Sequence, residues 1–114
     1  MNDARDGGRG FGFLESVYKK AMKIELQKQR FEIEEEKPLK VYYDNKIVGD
    51  FYIDLFVEQE MVVELKSVRN LTKEHEVQLV NYLSGMKKDI GLLINFGPNG
   101  VDVKRKYRQS SEAT

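Results

Sequence analysis

Apolar positions recur along this chain at two different periods, and each change of period marks a new element. From about Phe13 to Arg30 the spacing is helical. Leu14, Val17, Tyr18, Ala21 and Met22 fall on one face, and Lys19, Lys20 and Lys23 fall largely elsewhere. Glu15 stands in the first turn, where a carboxylate suits the helix dipole. Phe31–Glu36 alternates apolar and acidic residues, so it reads as the start of a strand. Pro38 interrupts it, as expected at a sheet edge or a bulge, and Leu39–Tyr43 resumes strand character. Asp44-Asn45-Lys46 signals a turn. Ile47–Val57, rich in β-branched and aromatic residues, predicts the next strand. Glu58-Gln59-Glu60 turns the chain into a short apolar strand, Met61–Val68. Val77, Val80, Leu83 and Met86 then predict a second helix over Lys73–Met86, with Thr72 as its cap and His75 nearby. His75 suits a surface or capping role better than a metal ligand. Gly91–Phe96 is a buried-type strand, Gly97–Gly100 a tight turn and Val101–Tyr107 a last strand. The order α-β-β-β-α-β-β predicts an α/β domain, a mixed sheet with helices packed on its faces.

Composition narrows the chemistry. The chain of 114 residues is long enough for one domain with a true core. Nineteen basic and nineteen acidic residues cancel, so no general basic footprint for nucleic acid is present. Phosphate binding must therefore come from a local patch or a bound cation. Lys104, Arg105, Lys106 and Arg108 form the densest basic run; they suit phosphate contacts or, equally, a solvated edge strand. With no cysteine, thiolate catalysis, disulfides and cysteine-based zinc sites are excluded, and one histidine excludes a multi-histidine zinc centre. No apolar run approaches the roughly 20 residues that span a bilayer, and no signal-peptide pattern opens the chain. The expected location is the cytoplasm. Residues 1–9 and 109–114 read as flexible tails flanking a domain over 10–108.

One constellation carries chemistry. If Glu58-Gln59-Glu60 is a three-residue loop, Val57 pairs with Met61, Asp54 falls opposite Glu64, and Tyr52 falls opposite Lys66. Directly opposed residues share a face, with Cβ atoms about 4.5–5.5 Å apart. Two carboxylates placed so repel unless a cation lies between them. Their hard oxygens suit Mg²⁺. Lys66 shares the face of Glu64, because strand side chains alternate. Leu55 and Val57 against Val63 and Leu65 make an ordinary core on the other face. Spacing alone fits a half-exposed strand with a Glu64–Lys66 surface ion pair somewhat better. Glu15 at the start of the first helix is a candidate third acid. Gln78 and Tyr82, four residues apart on the second helix, project together.

The segment Gly10-Phe11-Gly12-Phe13-Leu14-Glu15-Ser16-Val17-Tyr18 matches the pattern G-x-G-x-x-E-x-x-Y. Further matching segments are Gly49-Asp50 through Asp54-Leu55, Val63-Glu64-Leu65-Lys66, His75 through Gln78 and Tyr82-Leu83, and Gly91 through Gly97. From Gly10 to about Tyr107 the chain resembles the GxxExxY proteins, a bacterial family of the PD-(D/E)XK nuclease superfamily. The resemblance implies a restriction-endonuclease-like αβββαβ core, here with an additional C-terminal strand. It implies Mg²⁺, with Mn²⁺ as a substitute, held by Asp54, Glu64, the Leu65 carbonyl and, through water, Glu15. Lys66 takes the place of the catalytic lysine, and Gln78 and Tyr82 resemble the Q-x-x-x-Y motif of RecB-type nucleases.

The activity so implied is hydrolysis of phosphodiester bonds in DNA or RNA. Lys66 would orient the attacking water or neutralise developing charge. A role as base suits it less, because neighbouring carboxylates favour its charged form. Two other readings stay open. One is a catalytically silent nuclease-fold module that binds nucleic acid or a protein. The other is a homodimer in which each copy cuts one strand.

Overall fold

A computed structural model describes residues 14–109; the expected tail over 1–9, the Gly10 and Gly12 positions and residues 110–114 lie outside them. Its elements are α1 (Glu15–Lys28), β1 (Ile33–Tyr43), β2 (Lys46–Val57), β3 (Met61–Lys66), α2 (Lys73–Met86), β4 (Ile90–Gly97) and β5 (Gly100–Tyr107). The strands form one sheet in sequence order, β1-β2-β3-β4-β5. Only the β3–β4 pairing is parallel, because α2 carries the chain back across the sheet.

The predicted strand interruption at Pro38 does not occur. β1 runs through it as a continuous edge strand, where a residue without an N–H is tolerated. Asp44 and Asn45 both take positive φ in the two-residue loop closed by the Tyr43–Lys46 pair. Short polar side chains tolerate that conformation. The β2–β3 loop is the expected Glu58-Gln59-Glu60, with Val57 paired to Met61.

Two apolar layers flank the sheet. Between α2 and the sheet lie Ile53, Phe56, Val62 and Leu93, packed against Leu79 and Leu83 of the helix. On the other face, Leu55, Val57, Val63, Leu65 and Ile94 pack with Met22 and Leu26 of α1. The helix stripes differ from those periodicity suggested. Leu14, Val17 and Ala21 are exposed, and α1 leans on the sheet through Met22, Leu26 and a Tyr18 ring stacked on Phe96 at 4.2 Å. On α2 the buried positions are Leu79, Tyr82 and Leu83, whereas Val77 is exposed. Gly91 of β4 lets α2 sit this close. A Cβ there would lie 2.9 Å from Leu79 Cδ1 and 3.1 Å from the Val62 carbonyl oxygen. α2 starts on a reciprocal cap: the Thr72 amide donates to His75 Nδ1 and the His75 amide donates to the Thr72 hydroxyl.

The sheet is irregular at two places: the β1–β2 register shifts between Val41 and Tyr42, and the alternation of β2 fails further along. Ile53 belongs to the layer under α2, Leu55 to the layer under α1, and Phe56 again to the layer under α2. A regular strand would place Ile53 and Leu55 on one face. The alternation therefore breaks at Asp54. Across from it in β1, between the pairs Glu35–Leu55 and Lys37–Ile53, stands Glu36 with φ of 57°.

Candidate metal centre

The β2–β3 ladder runs from Val57–Met61 to Leu55–Val63 and stops. The next two residues, Asp54 and Glu64, bridge the strands with their side chains. The Asp54 amide donates to Glu64 Oε2 at 3.0 Å, and the Leu65 amide donates to Asp54 Oδ2 at 2.8 Å. Each carboxylate thus closes the opposite strand's unpaired N–H with one oxygen. The expected opposition of Tyr52 and Lys66 is not a ladder pair, because the strands have parted by then.

Strand β3 also ends earlier than predicted, at Lys66 rather than Val68. The reason lies in its backbone partners. The Ser67 amide donates to Glu15 Oε2 at 3.2 Å, and the Val68 amide donates to Asn95 Oδ1 at 2.9 Å. Asn95 returns the contact by donating Nδ2 to the Val68 carbonyl at 2.9 Å. Acceptors from β2, α1 and β4 thereby hold the segment that carries Glu64 and Lys66. Asn95 was not among the residues singled out from the sequence. A lone polar residue in the apolar run Gly91–Phe96 was its signal, and it is buried.

Glu64 is 6% exposed. Burial pushes its carboxyl up to about 8, the Asp54 charge adds to that, and the hydrogen bond from the Asp54 amide and the charge of Lys66 oppose it. Lys66 is half-buried and two residues further along the same strand, so it shares that face. Tyr82 reaches the site from α2. Burial first, then the charges of Glu64 and Asp54, raise its phenol, while a hydrogen bond from Gln78 counteracts them. Asp54, Glu64, Lys66, Gln78 and Tyr82 are thus gathered about one place. Glu15 reaches the end of β3 but does not join a tight acidic group. Among the described residues no three histidine, aspartate or glutamate side chains are clustered closely enough to hold a metal.

The donor set still fits a hard divalent cation. Two carboxylates meet where Glu64 is dehydrated and the Asp54 charge adds to its cost of ionising; a cation relieves both effects. The basic run of β5 is partly spent on protein carboxylates. Lys106 pairs with Glu76 and Arg108 with Asp89, both at 2.8 Å. Lys104 is half-buried and Arg105 is exposed.

Comparison with known proteins bears on the fold. A family model described as the PD-(D/E)XK nuclease superfamily matches residues 8–108. No curated protein matches. Among solved structures, the crystal structure of SSO0001 superposes with a TM-score of 0.66 at 18% identity, covering 86% of this chain. The chain spans about half of that protein, 52% of its length. The five-stranded mixed sheet with two helices is a restriction-endonuclease-like arrangement. With the family model spanning nearly all the described residues, the chain belongs to the PD-(D/E)XK nuclease superfamily.

Proposed function

We propose that this protein is a divalent-metal-dependent nuclease of the GxxExxY type, acting on phosphodiester bonds of DNA or RNA. The observation that carries this reading is the Asp54–Glu64 bridge. Two carboxylates fill the gap where the β2–β3 ladder ends, and one of them is buried and shifted toward its neutral form. As a purely structural device this is costly, because a buried carboxylate beside a second one opposes its own ionisation. As a cation site it is economical.

Asp54, Glu64 and the Leu65 carbonyl are the groups that would hold a Mg²⁺ ion. When bound, that ion polarises the scissile phosphate and lowers the pKa of the attacking water. Lys66 sets its ammonium on the face of Glu64, where it neutralises charge developing on the phosphorane oxygens and orients the water. Glu15, held by the Ser67 amide, would serve such an ion through a bridging water. Gln78 bonds Tyr82 and fixes the direction of its phenol, which donates to a phosphate oxygen.

One observation favours a second reading, a silent module. Lys106 and Arg108 are tied to Glu76 and Asp89, so they offer less to a phosphate backbone than their sequence suggests. A cleavage assay separates the two. Highly purified wild-type protein with Mg²⁺ or Mn²⁺ is expected to cut at least one of single-stranded, duplex or branched DNA, or RNA. Lys66→Ala should lower the rate on the order of 10²–10³-fold while nucleic-acid binding changes only a few-fold, the mark of a group acting in the transition state. If wild type and Lys66→Ala leave all four substrates equally intact, the enzyme reading fails and the silent module stands.

A further inference from the structure

A cavity of about 470 Å³ opens between the N-terminal half of α2 and the β1–β2 hairpin. That is within the roughly 300–1,000 Å³ range of small-molecule sites. Leu39, Val41, Phe51 and Val77 give it apolar walls, and Gln78, Asn81 and Tyr82 also line it. The Phe51 and Tyr82 rings lie 5.5 Å apart at a 50° tilt, so an aromatic pair borders the space. Lys73 and Glu74 line it together, and their opposite charges cancel.

This lining selects by chemistry. With no net positive charge, the cavity has no means of favouring a phosphate. Apolar walls with aromatic edges favour a flat, uncharged, partly polar group. Carboxamides offer such a group both donors and acceptors. Gln78 is engaged with Tyr82. The Asn81 carboxamide is exposed and, among the described residues, has no hydrogen-bond partner. A nucleobase has all of these properties: a stacking face, an apolar body and an edge of donors and acceptors. Tyr82 borders the cavity and also feels the charges of Glu64 and Asp54, so a base seated here lies one side chain away from the candidate metal centre.

We propose that this cavity receives one unpaired nucleobase of the strand to be cut, so that the site takes single-stranded or locally opened nucleic acid rather than intact duplex. A base within a duplex cannot enter without leaving its stack. Tyr42 and Tyr43, at the tip of the same hairpin and 59% and 72% exposed, offer further stacking surfaces for the bases that follow. The proposal deepens the nuclease reading by naming its substrate class.

The test reads binding and cleavage separately. Fluorescence anisotropy with Ca²⁺ in place of Mg²⁺ measures affinity of the full chain for a short oligothymidine, the same backbone made abasic, and a blunt duplex. The oligothymidine should bind at least about 10-fold more tightly than either of the others, in line with the size of base-stacking effects. Val77→Phe fills the cavity from an exposed helix position, and Asn81→Ala removes the free carboxamide; neither unmakes the core. Each should weaken single-strand binding several-fold or more and leave duplex binding unchanged. Equal affinity for abasic and base-bearing strands, preference for duplex, no binding of any oligonucleotide, or indifference to both substitutions would each overturn the proposal. A protein that cuts duplex and ignores bases refutes this inference alone. A protein that binds single strands but cuts nothing refutes the nuclease reading alone.

Discussion

Asp54 and Glu64 hold each other's strands: the Asp54 amide donates to the Glu64 carboxylate at 3.0 Å, and the Asp54 carboxylate accepts from Leu65, the neighbour of Glu64, at 2.8 Å. The bridge stands where the regular ladder stops and where the alternation of β2 breaks. One local irregularity therefore does two things. It releases two N–H groups from the ladder, and it turns two acids toward the gap.

The bridge makes stability depend on pH. Glu64 sits at about 8 in the folded chain, against an ordinary value of 4.5. The folded state therefore holds this proton more tightly than the unfolded state does. That stabilisation is complete below 4.5 and is lost as pH rises through about 8. Metal-free protein should lose melting temperature by several degrees across that window. Glu64→Gln should flatten this part of the profile, and Mg²⁺ should restore stability chiefly at the upper end, where Glu64 is ionised. Melting curves across pH, with and without Mg²⁺, check this. A wild-type slope identical to that of Glu64→Gln would mean that Glu64 ionises as an ordinary carboxylate.

Asn95 should matter to both folding and cleavage. Its carboxamide satisfies the Val68 amide and carbonyl, just beyond Lys66. Asn95→Ala leaves both half-buried groups unpaired and should cost about 2–4 kcal/mol. Asn95→Asp keeps the acceptor but buries a carboxylate against the Val68 carbonyl, so at neutral pH it should be no more stable than alanine. Chemical denaturation orders the three proteins. Any cleavage activity should fall in the same order.

Gly91 controls how closely α2 approaches the sheet. In Gly91→Ala the new methyl would meet Leu79 and the Val62 carbonyl, forcing the helix outward at a cost of about 1–3 kcal/mol. Gln78 and Tyr82 ride on that helix. The substitution should therefore lower affinity for single-stranded nucleic acid as well as stability, both measurable on the folded protein well below its melting temperature.

Much of this arrangement is legible in the sequence. Periodicity locates α2 at Lys73–Met86, the bounds observed, and counting back from Glu58-Gln59-Glu60 brings Asp54 to the neighbourhood of Glu64, just past the last ladder pair, where their side chains bridge the strands. What periodicity misses is the break at Asp54. Across from it stands Glu36, whose positive φ no propensity announces in a glutamate. Asn95 is missed for a similar reason: its partner is the Val68 backbone, which any residue presents. The faces of α1 and α2 slip because side chains lean back toward the preceding turn, and because tertiary contact with Phe96 and Phe51 decides which residues face the sheet.

Calorimetric titration of Mn²⁺ and Mg²⁺ into metal-free protein tests most directly whether Asp54 and Glu64 form the proposed divalent-cation site. Wild type should bind the ions saturably, with proton release near neutral pH as the Glu64 carboxyl ionises. Asp54→Asn and Glu64→Gln should each abolish that binding while remaining folded, and removing one of two facing acids should leave the metal-free protein at least as stable. Equal binding by wild type and both variants, or no binding by wild type, would contradict the account.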